Sequence, residues 1–288
     1  MTVLYAGLAS GAVYALIALG YILTQTTANV LNFANAHLFV LAGFIGYWGV
    51  SQAGLPPALV FLTSVVGCAL VALLEERLAI RPLAGADHSH ANLITTVGAG
   101  TAITGAIVLI WGADPVPVDM IDPDRVWTWF GGRFTPVDLV LVILAVAVAA
   151  SLHTVSNRTR VGLATLALAE DAEAARVRGI DTRRFALVGF VLVGALAGII
   201  GPVIAMKTFA SVSIALILAV KGFVALVIGG AGSYWGALVG GLSLGVVEAV
   251  FSRYLDPGAK DVFVFLIFMA VLLARPQGLF GQKEARAV

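Results

Sequence analysis

Two ionisable residues stand inside otherwise apolar stretches: Lys221, between ILAV and GFVALVIGG, and Glu248, in the run that follows. A charge in hydrocarbon is expensive and is normally paired. Glu248 is therefore the natural partner for Lys221, in a salt bridge that can also differ between conformational states. The alternative is a Lys221 that snorkels to an interface. A second group is polar and uncharged. Asn29, Asn32, Asn35 and His37 lie beside Thr24, Gln25, Thr26 and Thr27. Asn32, Asn35 and His37 suit a path lining that hydrogen-bonds a zwitterion's amino or carboxylate group; they equally suit a polar turn between two helices that water satisfies. Thr95, Thr96, Thr101 and Thr104 suit bonds back to their own helix. His88 and His90, at i and i+2 on a loop, lack the further ligands of a metal site. GGAGSYWG (residues 229–236) has glycines but no Lys to reach phosphates. No Ser–His–Asp or paired-carboxylate arrangement stands out. The chain is thus expected to carry no catalytic site, metal or cofactor of its own.

The elements that must position these groups follow from composition. The first 74 residues contain no Asp, Glu, Lys or Arg. The whole chain is 60% hydrophobic and 11% charged, against roughly a quarter charged in soluble domains, and its mean hydropathy is +1.01. Its solvent is mostly lipid. A span needs roughly 20 apolar residues, and the apolar runs predict an all-α polytopic membrane protein with eight or nine transmembrane helices, a single transmembrane domain over residues 1–288. The net charge of +1 says nothing about nucleic acid, but no basic stripe interleaved with aromatics is present, so no nucleic-acid partner is expected. The single Cys68 excludes an intrachain disulfide. The apolar N-terminus lacks a basic region and runs too long for a cleaved signal, so it reads as a retained span. Gly232, Gly236 and Gly240 recur at i, i+4 and predict close helix packing.

Lys and Arg concentrate in three places: Arg77 and Arg81; Arg158, Arg160, Arg176, Arg178, Arg183 and Arg184; and Arg275, Lys283 and Arg286. The bias toward Lys and Arg in cytoplasmic loops puts all three inside. The acidic stretch 114–133, with Trp127, Trp129 and Phe130, reads as an external loop with an aromatic anchor. With nine crossings the N-terminus is external; with eight it is internal and one run is re-entrant.

The segment 157–184 is the main interruption of the apolar pattern. Residues 163–178, LATLALAEDAEAARVR, have strongly helical composition. Acids precede bases, which suits the helix dipole, and Gly179 suits a left-handed C-terminal residue. Such a helix outside the bilayer has an apolar side to cover. It lies on the membrane, docks into another protein's groove, or merely connects two spans.

Here a resemblance enters. EDAEAARVRGI (residues 170–180) resembles the ED-x3-A-x3-GI cytoplasmic motif of permease subunits of branched-chain amino acid ABC importers, with Glu170, Asp171, Ala175, Gly179 and Ile180 on its positions. GLASGAVYALIALGY (7–21) is similar to that family's opening span. GGAGSYWGALVGGLSLGVVEA (229–249) is similar to its glycine-rich signature, and RPQGLFG (275–281) to its ending. The length and N-terminal motif resemble the first of the two permease types. One place departs. Where the family has Asn-Phe-Ala-His-Gly-Glu, this chain has Asn32, Phe33, Ala34, Asn35, Ala36 and His37.

The resemblance implies a multi-pass protein of the bacterial cytoplasmic (inner) membrane. It implies two cytoplasmic ATPase subunits that bind ATP, a second homologous permease subunit and an extracytoplasmic solute-binding protein as partners. Residues 157–184 would hold the coupling helix, with Glu170 and Asp171 giving specificity by ion pairs. The cargo would be branched-chain or related small amino acids. Alternatives are a related ABC importer for urea, short amides or sugars, or a stand-alone secondary transporter.

Overall fold

Eleven α-helices occur among the described residues: α1 Thr2–Ala28, α2 Asn35–Tyr47, α3 Pro57–Glu75, α4 Ser89–Trp111, α5 Pro136–Arg158, α6 Arg160–Glu170, α7 Ala172–Val177, α8 Thr182–Thr208, α9 Ile214–Gly229, α10 Tyr234–Tyr254 and α11 Lys260–Ala274. The computed structural model describes residues 1–83, 89–120, 126–129, 131–254, 260–275 and 277–281, apart from the side chains of residues 83, 89 and 90. The expectations for His88, the His90 side chain, Phe130, Lys283 and Arg286 therefore lie outside the described residues. Six helices are long and apolar enough to cross a membrane: α1, α3 with its continuation to Ile80, α4, α5, α8 and α10. The apolar helices α2, α9 and α11 are shorter, at 13, 16 and 15 residues.

The fold is not purely helical. β1 (Trp127–Trp129) and β2 (Gly132–Phe134) form an antiparallel hairpin with Thr128 opposite Arg133. Period-two alternation is too short here to signal strands in advance; what closes the hairpin is Gly131, at φ +73°, a conformation only Gly adopts freely.

The chain divides into two compact units. The first comprises Met1–Ile22, Arg125–His153 and Val220–Val288. In it, α1 and α10 meet through glycines: a Cβ at Gly11 would lie 2.6 Å from the Gly241 carbonyl oxygen, and Gly245 abuts Gly7 and Gly11. Gly236 and Gly240 serve the opposite contact, against Ala225 and Gly229 of α9. Gly232 does not belong to this stripe. It sits at φ +90° in the turn before α10, and a Cβ there would touch nothing; the i, i+4 spacing ran one step past the helix start. The N-terminal end of α1 is fastened to the hairpin, since the Arg133 amide donates to Thr2 Oγ1 at 3.1 Å and the Tyr5 ring packs on Phe134. Thr135 and Asp138 form a reciprocal cap at the start of α5. The amides of Leu279 and Phe280 close the end of α9 by donating to the Ile228 and Gly229 carbonyls.

The second unit comprises Leu23–Asp124 and Thr154–Ala219. Its centre is α8 packed on α2 and α3. Gly194 and Gly198 press against Cys68, Ala69, Ser64 and Val65 of α3, and Gly201 against Phe39 and Ala42 of α2. Leu62, Val66, Leu70 and Leu74 of α3 all point outward. An apolar ridge on the outside, with glycine and alanine inside, is what lipid as solvent selects. Helix α3 continues as a π-helical turn, Glu76–Ile80, so Arg77 and Arg81 are not in a simple loop. Thr95, Thr96 and Thr101 donate to carbonyls three or four residues back.

Candidate functional site: an ionic node and a capped polar segment

Three sets of polar residues organise the molecule. The first is in the first unit. Lys221 of α9 is 5% exposed and does not snorkel. Its Nζ donates to Glu248 Oε1 at 2.6 Å and to Asp261 Oδ1 at 2.9 Å. Tyr14 O–H donates to Glu248 Oε2 at 2.8 Å, and its ring centroid lies 5.5 Å from the ammonium. Lys260 comes within 4.0 Å of Glu248. Four helices thus share one node of two carboxylates, two ammonium groups and a phenol. Satisfying every lone pair and proton is what lets buried charges persist. Sequence reasoning reached Lys221 and Glu248 but not Asp261 or Tyr14. Asp261 reads as an ordinary first-turn acid of α11, and a lone Tyr in an apolar helix gives no signal.

The second set is in the second unit. Asn32 and Asn35 are fully buried and His37 nearly so, so they are not a water-satisfied turn. Asn32 Oδ1 accepts the Ala34 amide at 2.9 Å, which turns the chain into α2. The His37 ring lies against Gly100, where a Cβ would come within 2.7 Å of Nδ1. Glu75, at the end of α3, was missed by sequence reasoning. It is buried, the Asn32 amide faces it without closing a well-formed hydrogen bond, and neither carboxylate oxygen has a partner among the described residues. The signal was available: Glu75 and Glu76 directly end an apolar run.

The third set is the segment 157–184, also within the second unit from residue 154. The predicted helix over 163–178 is two helices. Thr159 caps α6 by accepting the Gly162 amide. The chain then breaks at Asp171, whose φ −151°, ψ 98° are extended. Asp171 Oδ1 accepts the amides of Glu173 and Ala174, both at 2.9 Å. The residue read as a helix-interior acid is an N-cap, because a short carboxylate satisfies free amides better than it tolerates a helix interior. Arg176 donates to Thr182 Oγ1 at 3.2 Å. At the other end Gly179 has φ +86°. The Ile180 amide donates to the Ala175 carbonyl and the Gly179 amide to that of Arg176, the paired bonds of a Schellman turn. Ala175 is buried, Ile180 half-buried, and Glu170 and Asp171 exposed.

The comparisons with known proteins agree with this architecture. Residues 3–272 match the family described as branched-chain amino acid transport system / permease component. The chain belongs to that family. It is 29% identical to the high-affinity branched-chain amino acid transport system permease protein LivH of Salmonella typhimurium, over 99% of this chain and 96% of that protein. It is 28% identical to the corresponding BraD of Pseudomonas aeruginosa, over 98% and 96%. The probable LivH of Methanocaldococcus jannaschii is 26% identical over 92% and 88%. Among solved structures, PsaBC from Streptococcus pneumoniae in complex with Fab superposes with a TM-score of 0.53 over 97% of this chain and 92% of that one, at 11% identity. That likeness concerns the fold alone.

Proposed function

We propose that this chain is the membrane-spanning subunit of an ATP-driven importer for branched-chain or related small amino acids, coupled to separate ATPase subunits through the segment 157–184. The observation that carries the reading is the surface of that segment. Val161, Leu163 and Val177 are exposed large apolar residues beside exposed Glu170 and Asp171, on a stretch fixed by a cap at each end. A solvated connector has no use for Val177 at 86% exposure; a surface that seats in a partner's groove does. ATP-driven closure of the ATPases would move α6 and α7 as one lever on α5 and α8. A second homologous permease would complete the path, and an external solute-binding protein would deliver cargo.

Nine crossings, with the N-terminus outside, fit the charges best. Tyr5 and Thr2 hold the start of α1 to the hairpin of the acidic loop, and the three basic stretches then fall on the cytoplasmic side. In this arrangement α2, α9 and α11 are the short crossings, in the inner membrane of a bacterium. A second reading, urea or short amides as cargo, is favoured by Asn35 and His37 standing where relatives of the resembled motif carry His and Glu.

The test is reconstitution in proteoliposomes with candidate ATPase, permease and binding-protein partners. ATP-dependent uptake of labelled leucine is expected, competed by valine and not by urea. Uptake without any ATPase subunit overturns the importer reading; competition by urea alone moves the cargo to the second reading.

A further inference from the structure

Under the coupling segment, wholly within the second unit, lies a cavity of about 640 Å³, in the size range of small-molecule sites, about 300–1,000 Å³. Its wall is built by the end of α1, the π-helical turn after α3, the start of α4, α6, α7 and the start of α8. Its lining includes apolar Ile80, Leu168 and Ile180 and basic Arg81, Arg176 and Arg183.

Two carboxylates also line it, and they differ. Asp181 is spent: its Oδ1 accepts the amides of Arg183 and Arg184, and its Oδ2 pairs with Arg184 Nε at 2.9 Å. Glu76 is less committed: it is 3% exposed, the charges of Arg81 and Arg77 act on it, and its Oε2 has no hydrogen-bond partner among the described residues. A buried carboxylate oxygen left open is costly unless something arrives to satisfy it. The π-helical geometry that begins at Glu76 is a feature often found where a helix departs from regularity for function.

We propose that this cavity is a cytoplasmic site for a zwitterionic α-amino acid with an apolar side chain. The ammonium group sits on Glu76, the carboxylate among Arg81, Arg176 and Arg183, and the side chain against Ile80, Leu168 and Ile180. A simple anion would meet Glu76 and a simple cation the arginines; a zwitterion answers both. The wall includes Ala172, Arg176, Gly179 and Ile180 of the coupling segment, so an occupant braces that segment, and amino acid accumulated inside the cell slows the transport cycle. This rests on the amino-acid reading above.

The test uses the full chain in lipid nanodiscs, with no partner subunits, and labelled leucine in a scintillation proximity assay. Saturable binding is expected. Isovalerate (carboxylate only) and isoamylamine (amine only) should compete at least about tenfold more weakly than leucine; Glu76→Gln should weaken leucine by a similar factor through the loss of one charge-assisted bond, and Ile180→Trp should weaken it by filling the space of the leucine side chain. No saturable binding overturns the proposal. So does isovalerate matching leucine, or binding that neither variant changes, which would locate the leucine elsewhere. Leucine bound here without leucine uptake in the reconstituted system would sink the cargo reading and leave the cavity; uptake without binding here would do the reverse.

Discussion

The ionic node around Lys221 and the capped segment around Asp171 solve the same problem under opposite conditions. In the node, charged side chains satisfy one another, because Lys221 and Glu248 are almost fully buried: Glu248 accepts from Lys221 and Tyr14, and Lys221 also reaches Asp261. In the segment, a charged side chain satisfies the backbone and stays exposed: Asp171 accepts two amides and Asp181 two more. The lesson is that the same residue type carries different energies in the two places. Inside, losing one partner strands another charge. Outside, water replaces whatever is lost.

The sharpest way to break this contrast is Lys221→Met. Removing one member of a buried ion pair costs about 3–5 kcal/mol because the other charge stays buried. Glu248 and Asp261 would then face each other's charge, with Lys260, 4.0 Å from Glu248, as the remaining paired cation among the described residues. A large drop in the thermal unfolding midpoint in detergent is expected, largely restored in the double variant Lys221→Met with Glu248→Gln. A single variant as stable as the parent would mean that the node is solvated.

Next in size is Tyr14→Phe. It removes a hydrogen bond to a charged acceptor, about 1.5–3 kcal/mol, while keeping the ring over the ammonium. The comparison variant Tyr14→Leu also removes the cation–π contact, about 0.5–2 kcal/mol more. Equal midpoints for the two would show that the ring contributes nothing to the node.

The sequence was legible where a residue's meaning is local or where a type is out of place. Gly179 could be placed in left-handed geometry from its position after a helical run, and Lys221 with Glu248 paired simply because both are strangers to hydrocarbon. Legibility failed where the meaning is set by a distant partner. Asp261 looks like a helix-start acid and is one, yet its oxygen reaches Lys221, 40 residues earlier in the chain. Glu76 looks like the solvated edge of a span, but the π-helical turn keeps it buried. Asp171 failed for another reason: composition alone favours a continuous helix, and the competing option, a carboxylate capping its own backbone, gains only about 1 kcal/mol. Gly232 shows the converse, a spacing that fits a packing stripe while the residue sits in a turn.

Gly179→Ala tests the exposed side of the comparison. At φ +86° a Cβ costs about 1–2 kcal/mol, with open space around it, so the penalty is purely conformational. Gly179→Asn should recover part of it, since Asn tolerates this region. Hydrogen exchange at the Ile180 amide, which donates to Ala175, reads the loss directly; protection unchanged in the alanine variant would mean that the turn is not what fixes the end of α7.

Smallest in stability, and most informative for transport, is the pair Asp171→Asn and Asp171→Ala. Asn caps a helix about as well as Asp, whereas Ala forfeits about 1 kcal/mol. If Asp171 acts only by holding α7 in place, Asn should leave ATP-driven uptake intact and Ala should lower it modestly. If its charge also pairs with a basic group of the ATPase, both variants should uncouple ATP hydrolysis from uptake, and adding Glu170→Ala should deepen the defect without shifting the unfolding midpoint. The comparison predicts the second pattern, because an exposed carboxylate has one oxygen on the backbone and the other free to face a partner. Normal coupling in the Asn variant would reduce Asp171 to a cap and move the recognition of the motor onto Glu170 and the apolar residues Leu163 and Val177.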